Sequence, residues 1–186
     1  MRFSTAKLAT AMFLASEAVF FVFLIAGYLY YRVNVTGANY GSAHVLDPAR
    51  TLIFTICLLA SSGTLWIAEK RLAAGDRSGF RLWLALTIVL GGVFIAGQGW
   101  EYVGLVSKMI TPETNLFGAS FFALTGFHGF HVLCGLVALC IVLLLNFQGE
   151  FTGRDLSGVG AVSMYWHFVD AVWIVIFSLV YLAVWL

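Results

Sequence analysis

Apolar residues in this chain come in long unbroken runs rather than in the alternating spacing of a half-buried strand. Stretches near 8–31, 50–69, 82–106, 117–145 and 160–186 are each long enough to cross a bilayer, which takes about 20 apolar residues as a helix. Hydrocarbon offers no water to backbone amides, so each run must close its own hydrogen bonds as an α-helix. The uninterrupted run 133–145 excludes a transmembrane barrel, whose strands alternate lipid-facing and lumen-facing side chains. The pattern predicts an all-α polytopic membrane protein, a single domain over 1–186 with five transmembrane helices.

Composition sharpens this. Hydrophobic residues make up 61% of the chain and charged residues 10%, with a mean hydropathy of +0.95, against roughly 25% charged in a soluble domain. A net charge of +1 without a basic cluster argues against nucleic acid as a partner. The first run follows Arg2 and Lys7 but is too long for the apolar core of a signal peptide and lacks a small-residue cleavage site. It ends in Tyr28-Leu-Tyr-Tyr-Arg32, an interfacial aromatic belt, so a retained helix is expected. Five spans put Arg2, Lys7, Lys70, Arg71, Arg77, Arg81 and Arg154 on the N-terminal side, and Arg32, Arg50 and Lys108 on the other. That excess predicts a cytoplasmic N-terminus and places Leu186 outside.

The loops carry start and turn signals. Asp47-Pro48 reads as an N-cap followed by proline at the first helical position, closing the longest connection, 33–49. Thr111-Pro112-Glu113 repeats the signal before the fourth span, with Glu113 suited to the positive end of the helix dipole. Gly75-Asp-Arg-Ser-Gly79 reads as a turn. Cys57, Cys134 and Cys140 lie within spans without redox spacing and are expected to be small core residues. Asn34-Val-Thr36 fits a glycosylation sequon, which carries no meaning in a bacterial chain. No internal repeat is visible, which weighs against an inverted-repeat transporter.

Four polar clusters interrupt the apolar runs: Glu17, then Gln98 with Glu101 beside Trp100, then His128 with His131, then His167 with Asp170 between Trp166 and Trp173. Each pair has i, i+3 spacing and shares a helix face. Intramembrane ionisable residues are functional-site candidates by default. The glycines beside them (Gly97, Gly99, Gly126, Gly129, Gly135) allow close helix approach. One reading is a polar seam that locks helices together. Another is metal binding, since His128, His131, His167 and Asp170 carry nitrogen and oxygen donors. Neither histidine pair has the Glu-x-x-His of di-iron bundles, and nothing marks a second axial partner for haem. No metal and no catalytic residue is therefore expected in this chain. A neutral Glu17 donating to His131 satisfies both groups.

These motifs, in order, resemble subunit III of haem–copper terminal oxidases. Ser16-Glu-Ala-Val-Phe-Phe21 is similar to the family's helix with a buried glutamate before paired aromatics. Phe117-Gly-Ala-Ser-Phe-Phe-Ala-Leu-Thr-Gly-Phe-His-Gly-Phe-His-Val132 and Tyr165-Trp-His-Phe-Val-Asp-Ala-Val-Trp173 resemble its two long signatures, and Gln98-Gly-Trp-Glu-Tyr102 is a weaker match. The resemblance spans nearly the whole chain. It implies an accessory subunit of a bacterial respiratory oxidase, in the inner membrane, without haem or copper of its own. The family member packs on subunit I, near subunit II and with subunit IV as a further candidate neighbour. It holds phospholipid and supports proton uptake and the durability of the core.

On that footing Glu17, His131 and His128 are the expected buried polar, proton-related residues. Gln98, Trp100, Glu101, Trp166, His167, Asp170 and Trp173 are the expected lipid or subunit contacts. The first two helices of the seven-helix form are missing, as in five-helix bacterial members, where extra helices of subunit I can fill the place. A neighbour is then expected to complete the lipid cleft. The competing readings are the subunit-III-like protein associated with nitric oxide reductase and an independent proton-coupled carrier.

Overall fold

A computed structural model describes residues 5–35, 46–148 and 157–182. The ends that fall on Arg2, Thr36 of the sequon, Arg154 and Leu186 lie outside the described residues. Five helices are present: α1 (Thr5–Asn34), α2 (Pro48–Ala73), α3 (Arg77–Ser107), α4 (Leu116–Gln148) and α5 (Ser157–Phe177), the last continuing into a π-helical turn, Ser178–Leu182. All five are long and apolar enough to cross a membrane. At 1.5 Å per residue the 33 residues of α4 reach about 50 Å, well beyond a hydrocarbon core of roughly 30 Å. Its ends therefore stand in the headgroup region or the helix tilts.

Helix ends follow local chemistry. Asp47 caps α2, its Oδ1 accepting from the Arg50 amide at 3.1 Å, with Pro48 at the first helical position as expected. Between α2 and α3 the turn is tighter than the Gly75–Gly79 cluster suggests. Gly75 takes the left-handed conformation (φ 81) and Asp76 already caps α3, so Arg77, Ser78 and Gly79 belong to the helix. The Gly79 amide donates to Asp76 at 2.8 Å, and together with the Ser78 hydroxyl and Arg71 it holds that carboxyl below its ordinary range.

The start signal at Thr111-Pro112-Glu113 is displaced. Thr111 and Thr114 close a turn on each other, and α4 begins only at Leu116, with Asn115 Oδ1 accepting from the Gly118 amide at 2.6 Å. Asparagine is a stronger N-cap than threonine, and Thr114 is already engaged in the turn with Thr111.

The end of α3 supplies a test. Met109 sits at φ 61 while the Met109 and Ile110 amides return to Val106 and Leu105 carbonyls at 2.9 and 3.0 Å. Glycine is the usual residue at such a position, because a Cβ there costs about 1–2 kcal/mol. Met109→Gly should stabilise the protein by about 1 kcal/mol, less the backbone entropy glycine adds to the unfolded chain, as read by thermal unfolding in detergent.

α2 and α3 form an antiparallel hairpin, and α4 and α5 pack across it, with α1 laid against α4 and α5. The interior is aromatic, with Phe80, Phe94, Phe117, Phe121, Trp166, Trp173 and Tyr181 almost entirely enclosed. Two glycines shape it. A Cβ on Gly91 or Gly135 would lie 2.7 or 2.8 Å from the Trp166 indole, so the pair forms the slot that receives this ring. Gly97 likewise makes room for Phe54. Polar ties run within the hairpin, Thr64 to Thr87 at 2.8 Å, from the hairpin to α4, Arg81 to Asn146 at 2.7 Å, and from Arg32 of α1 to the Leu179 carbonyl beyond α5 at 2.6 Å. Lys70, Arg71, Arg77 and Arg81 share one end of the bundle, at the α2–α3 turn.

The cysteines differ from expectation. Cys134 and Cys140 are exposed on the outer surface and Cys57 is half-buried, because the aromatic rings already fill the core.

Candidate functional site

The polar residues within the spans gather at three places. At the first, α1 meets α4. Glu17 Oε2 lies 3.0 Å from His131 Nε2, and His131 Nδ1 lies 2.7 Å from the Phe127 carbonyl oxygen. A carbonyl only accepts, so Nδ1 carries a proton. In a neutral imidazole that leaves the Nε2 lone pair facing Glu17. The Tyr165 hydroxyl donates to the His131 carbonyl at 2.9 Å, and the Phe21 ring sits edge-on to the imidazole at 5.0 Å. The pair heads a lateral depression of about 460 Å³ that Phe13, Cys134 and Tyr165 also line.

One turn away, His128 behaves differently. It is fully enclosed, stacks on Trp173 at 4.8 Å and meets the edge of Phe94 at 6.0 Å. Among the described residues neither of its ring nitrogens finds a hydrogen-bond partner. The i, i+3 spacing thus separates the two histidines in role: His131 turns to α1 and His128 to α5.

At the second place, α5 docks on a row of α2 hydroxyls. Trp166 Nε1 donates to Ser61 at 2.9 Å and Trp173 Nε1 to Thr55 at 3.0 Å. Ser62 donates its single proton to Asp170, so it accepts from His167 Nδ1, 2.9 Å away. The opposite Asp170 oxygen is enclosed and has no partner among the described residues. Trp166, Asp170 and Trp173 are no more than 3% exposed. These three, expected as lipid or subunit contacts, turn inward in this chain, where α2 takes both indole N–H groups and one Asp170 oxygen. The α2 partners were missed in the sequence. Thr51, Thr55, Leu58 and Ser62 share one helical face by spacing, a pattern that could have revealed them.

At the third place, near the opposite end of α3, Glu101 accepts from the Tyr181 hydroxyl at 2.6 Å and from Thr51 at 3.3 Å. Trp100 is 65% exposed and lies beneath the Arg50 guanidinium at 5.5 Å. Gln98 faces α4 instead and is buried. Among the described residues no group of three or more His, Cys, Asp or Glu side chains is placed to hold a metal ion.

A five-helix membrane bundle whose interior is pinned by hydroxyl, indole, imidazole and carboxyl groups defines a polytopic helical protein with polar interhelical locks. Comparison with known proteins places it further. The family model for cytochrome c oxidase subunit III matches residues 3–185, and the chain belongs to that family. It is 42% identical to cytochrome c oxidase subunit 3 of Corynebacterium diphtheriae, across 92% of this chain and 85% of that protein. Identity is 36% with the probable cytochrome c oxidase subunit 3 of Mycobacterium leprae, over the same shares. With the Synechocystis protein of the same name it is 37%, across 92% of this chain and 72% of that one. The chain is thus a subunit III of a haem–copper oxidase, a non-catalytic, multi-pass membrane component of the respiratory chain.

Proposed function

We propose that this subunit serves a bacterial oxidase in the inner membrane, with its N-terminus in the cytoplasm, packed on subunit I in a complex with subunit II. Haem and copper reside in those partners. The chain binds phospholipid, supports proton uptake and prolongs the working life of the core. The observation that carries this reading is the Glu17–His131 pair at 3.0 Å, opening on a mostly apolar lateral depression of about 460 Å³. Ionisable groups facing hydrocarbon are expensive unless paired, and here the pair sits where an acyl chain can lie against it. In the neutral form Glu17 donates to His131, which keeps a transferable proton at the subunit surface without a net charge. Trp100 with Arg50, and the edge of His167, are the remaining lipid or subunit contacts of this reading. The excess of Lys and Arg around the α2–α3 turn supports the orientation.

Glu17→Ala should leave initial oxygen consumption by the purified complex within about twofold of the parent, since about 0.4 kcal/mol in a barrier is all that factor needs. Catalytic lifetime during sustained turnover should shorten, or subunit III should dissociate more readily on detergent washing. Loss of haem reduction with the complex fully assembled contradicts the accessory role.

A further inference from the structure

Asp170 lies at the midpoint of the span Gly158–Leu182, is 3% exposed, and takes no part in the Glu17–His131 pair. Its Oδ1 is enclosed without a partner among the described residues, and its Oδ2 meets the Ser62 hydroxyl. The indole donors on either side are spent, Trp166 Nε1 on Ser61 and Trp173 Nε1 on Thr55. Among the described residues no Lys or Arg forms an ion pair with this carboxyl. Ser62 is therefore the described contact through which a proton reaches it. On its other side Ser62 lies 2.9 Å from His167 Nδ1. His167 is half-buried, and its Nε2, neither sealed nor bonded to a described residue, reaches the outside of the bundle.

The three groups make a hydrogen-bonded row with a surface end and a sealed end, and the row has two polarities. With Asp170 ionised, His167 Nδ1–H donates to Ser62 and Ser62 donates to Asp170 Oδ2, so the Nε2 lone pair faces out. A proton that binds at Nε2 displaces the Nδ1 proton to Ser62 Oγ, and the hydroxyl releases its own proton to Asp170 Oδ2. Every donor is then reversed: Asp170 donates to Ser62, Ser62 to Nδ1, and Nε2–H points out. An O–H bond has formed at Asp170, the imidazole has exchanged one N–H for the other, and an anionic row has become neutral. Both polarities keep the same two hydrogen bonds, so no side chain has to move. A buried carboxylate with one donor and no cation beside it is costly, and the proton removes that charge. Because Oδ1 is sealed, the row ends at Asp170 and holds its proton there.

Other titratable groups on the helices around α5 are engaged elsewhere. His128 stacks on Trp173, Glu17 and His131 pair with each other, and Glu101 is taken by Tyr181 and Thr51. Tyr165 donates to the His131 carbonyl and Tyr102 pairs with Thr125. On α2 the charged residues Arg50, Glu69, Lys70 and Arg71 stand near the helix ends, away from Ser62.

We infer that His167, Ser62 and Asp170 form a proton-binding site, in which the imidazole takes a proton from water at the outer face and the serine hands its own to the sealed carboxyl. The site goes beyond the accessory reading, since it uses neither Glu17 nor a partner subunit.

Infrared difference spectra of the purified protein, with the polypeptides it retains, test the site as water is replaced by deuterated buffer. Parent-minus-variant spectra isolate one carboxyl. The carboxylic C=O band of protonated Asp170 is assigned by its loss in Asp170→Asn or, if that variant fails to accumulate, by its displacement in Asp170→Glu. The band should shift down as the proton exchanges, and Ser62→Ala or His167→Phe should slow that shift by about tenfold or more. Ser62→Thr, which restores the hydroxyl, should return it to the parent rate. Thr64→Val, which removes an α2 hydroxyl bonded to Thr87 instead, should leave the rate unchanged. An Asp170 band absent at every pH at which the fold holds, or one that never exchanges, overturns the site. So does exchange at the parent rate in Ser62→Ala, or equal slowing in Thr64→Val.

Discussion

Trp173→Ala is expected to destabilise the bundle by about 3–5 kcal/mol, the range for removing a fully buried tryptophan. The indole joins three helices. It stacks on His128 of α4 at 4.8 Å, meets Phe94 of α3 edge-on at 4.8 Å, and donates to Thr55 of α2 at 3.0 Å. Alanine removes all three contacts and leaves a void in which the unpartnered His128 nitrogens face empty space. Trp173→Phe keeps most of the packing and loses the N–H donor, so it should cost only about 1 kcal/mol plus the strain of repacking. Reversible unfolding in mixed micelles, with both variants beside the parent, checks the ordering. Equal losses from the two would mean that the hydrogen bond, not the ring, holds the site.

The second large effect lies at the Trp166 slot. A Cβ on Gly135 lies 2.8 Å from the Trp166 ring and 3.2 Å from Tyr165, and Trp166 is held in place by its bond to Ser61. Gly135→Leu must therefore push α5 away from α4, at a cost of about 3 kcal/mol or more by the scale of overpacked cores. The same substitution at Gly63, with nothing within 4 Å of its Cβ position, should fall within about 0.5 kcal/mol of the parent. Membrane accumulation and unfolding midpoint report both. A Gly135→Leu protein as stable as the parent is incompatible with Trp166 lying between Gly91 and Gly135.

These two sites also mark the limit of what the sequence conveys. The five helices were legible because hydrocarbon permits almost no other backbone, and Asp47-Pro48 was legible because capping is local. The start of α4 was misread for the converse reason: Thr111-Pro112-Glu113 carries every local start feature, yet Asn115 offers a better cap four residues on. Glu17 and His131 could be matched by chemistry, although their separation of 114 positions hides the approach of α1 to α4.

The tryptophans of the last helix could not be placed in the same way. Trp166 and Trp173 look like interfacial residues until α2 supplies hydroxyls 105 and 118 positions earlier in the chain. A serine or threonine row in an apolar helix is a weak signal alone, and it gains meaning only when a facing helix carries donors at matching height. The glycines make the same point. Gly135 and Gly129 are alike in sequence, but one is filled by an indole and the other faces open space.

The histidines and carboxyls within the spans of this subunit each have a place in the packing of the bundle. His128 is sealed among aromatic rings, His167 and Asp170 converge on one serine, and Glu101 is taken by Tyr181 and Thr51. Each of these locks fixes one helix against another. The Glu17–His131 pair opens on a lateral depression, and the proposed support of proton uptake rests on it.

The most direct test is purification of the tagged chain in a mild detergent, with mass spectrometry and an optical spectrum of everything retained. The account predicts haem-bearing oxidase polypeptides in fixed ratio, with the haem staying on them when this subunit is stripped away. A chain that purifies alone and itself carries haem or a stoichiometric metal ion, or that moves protons by itself in vesicles, contradicts it.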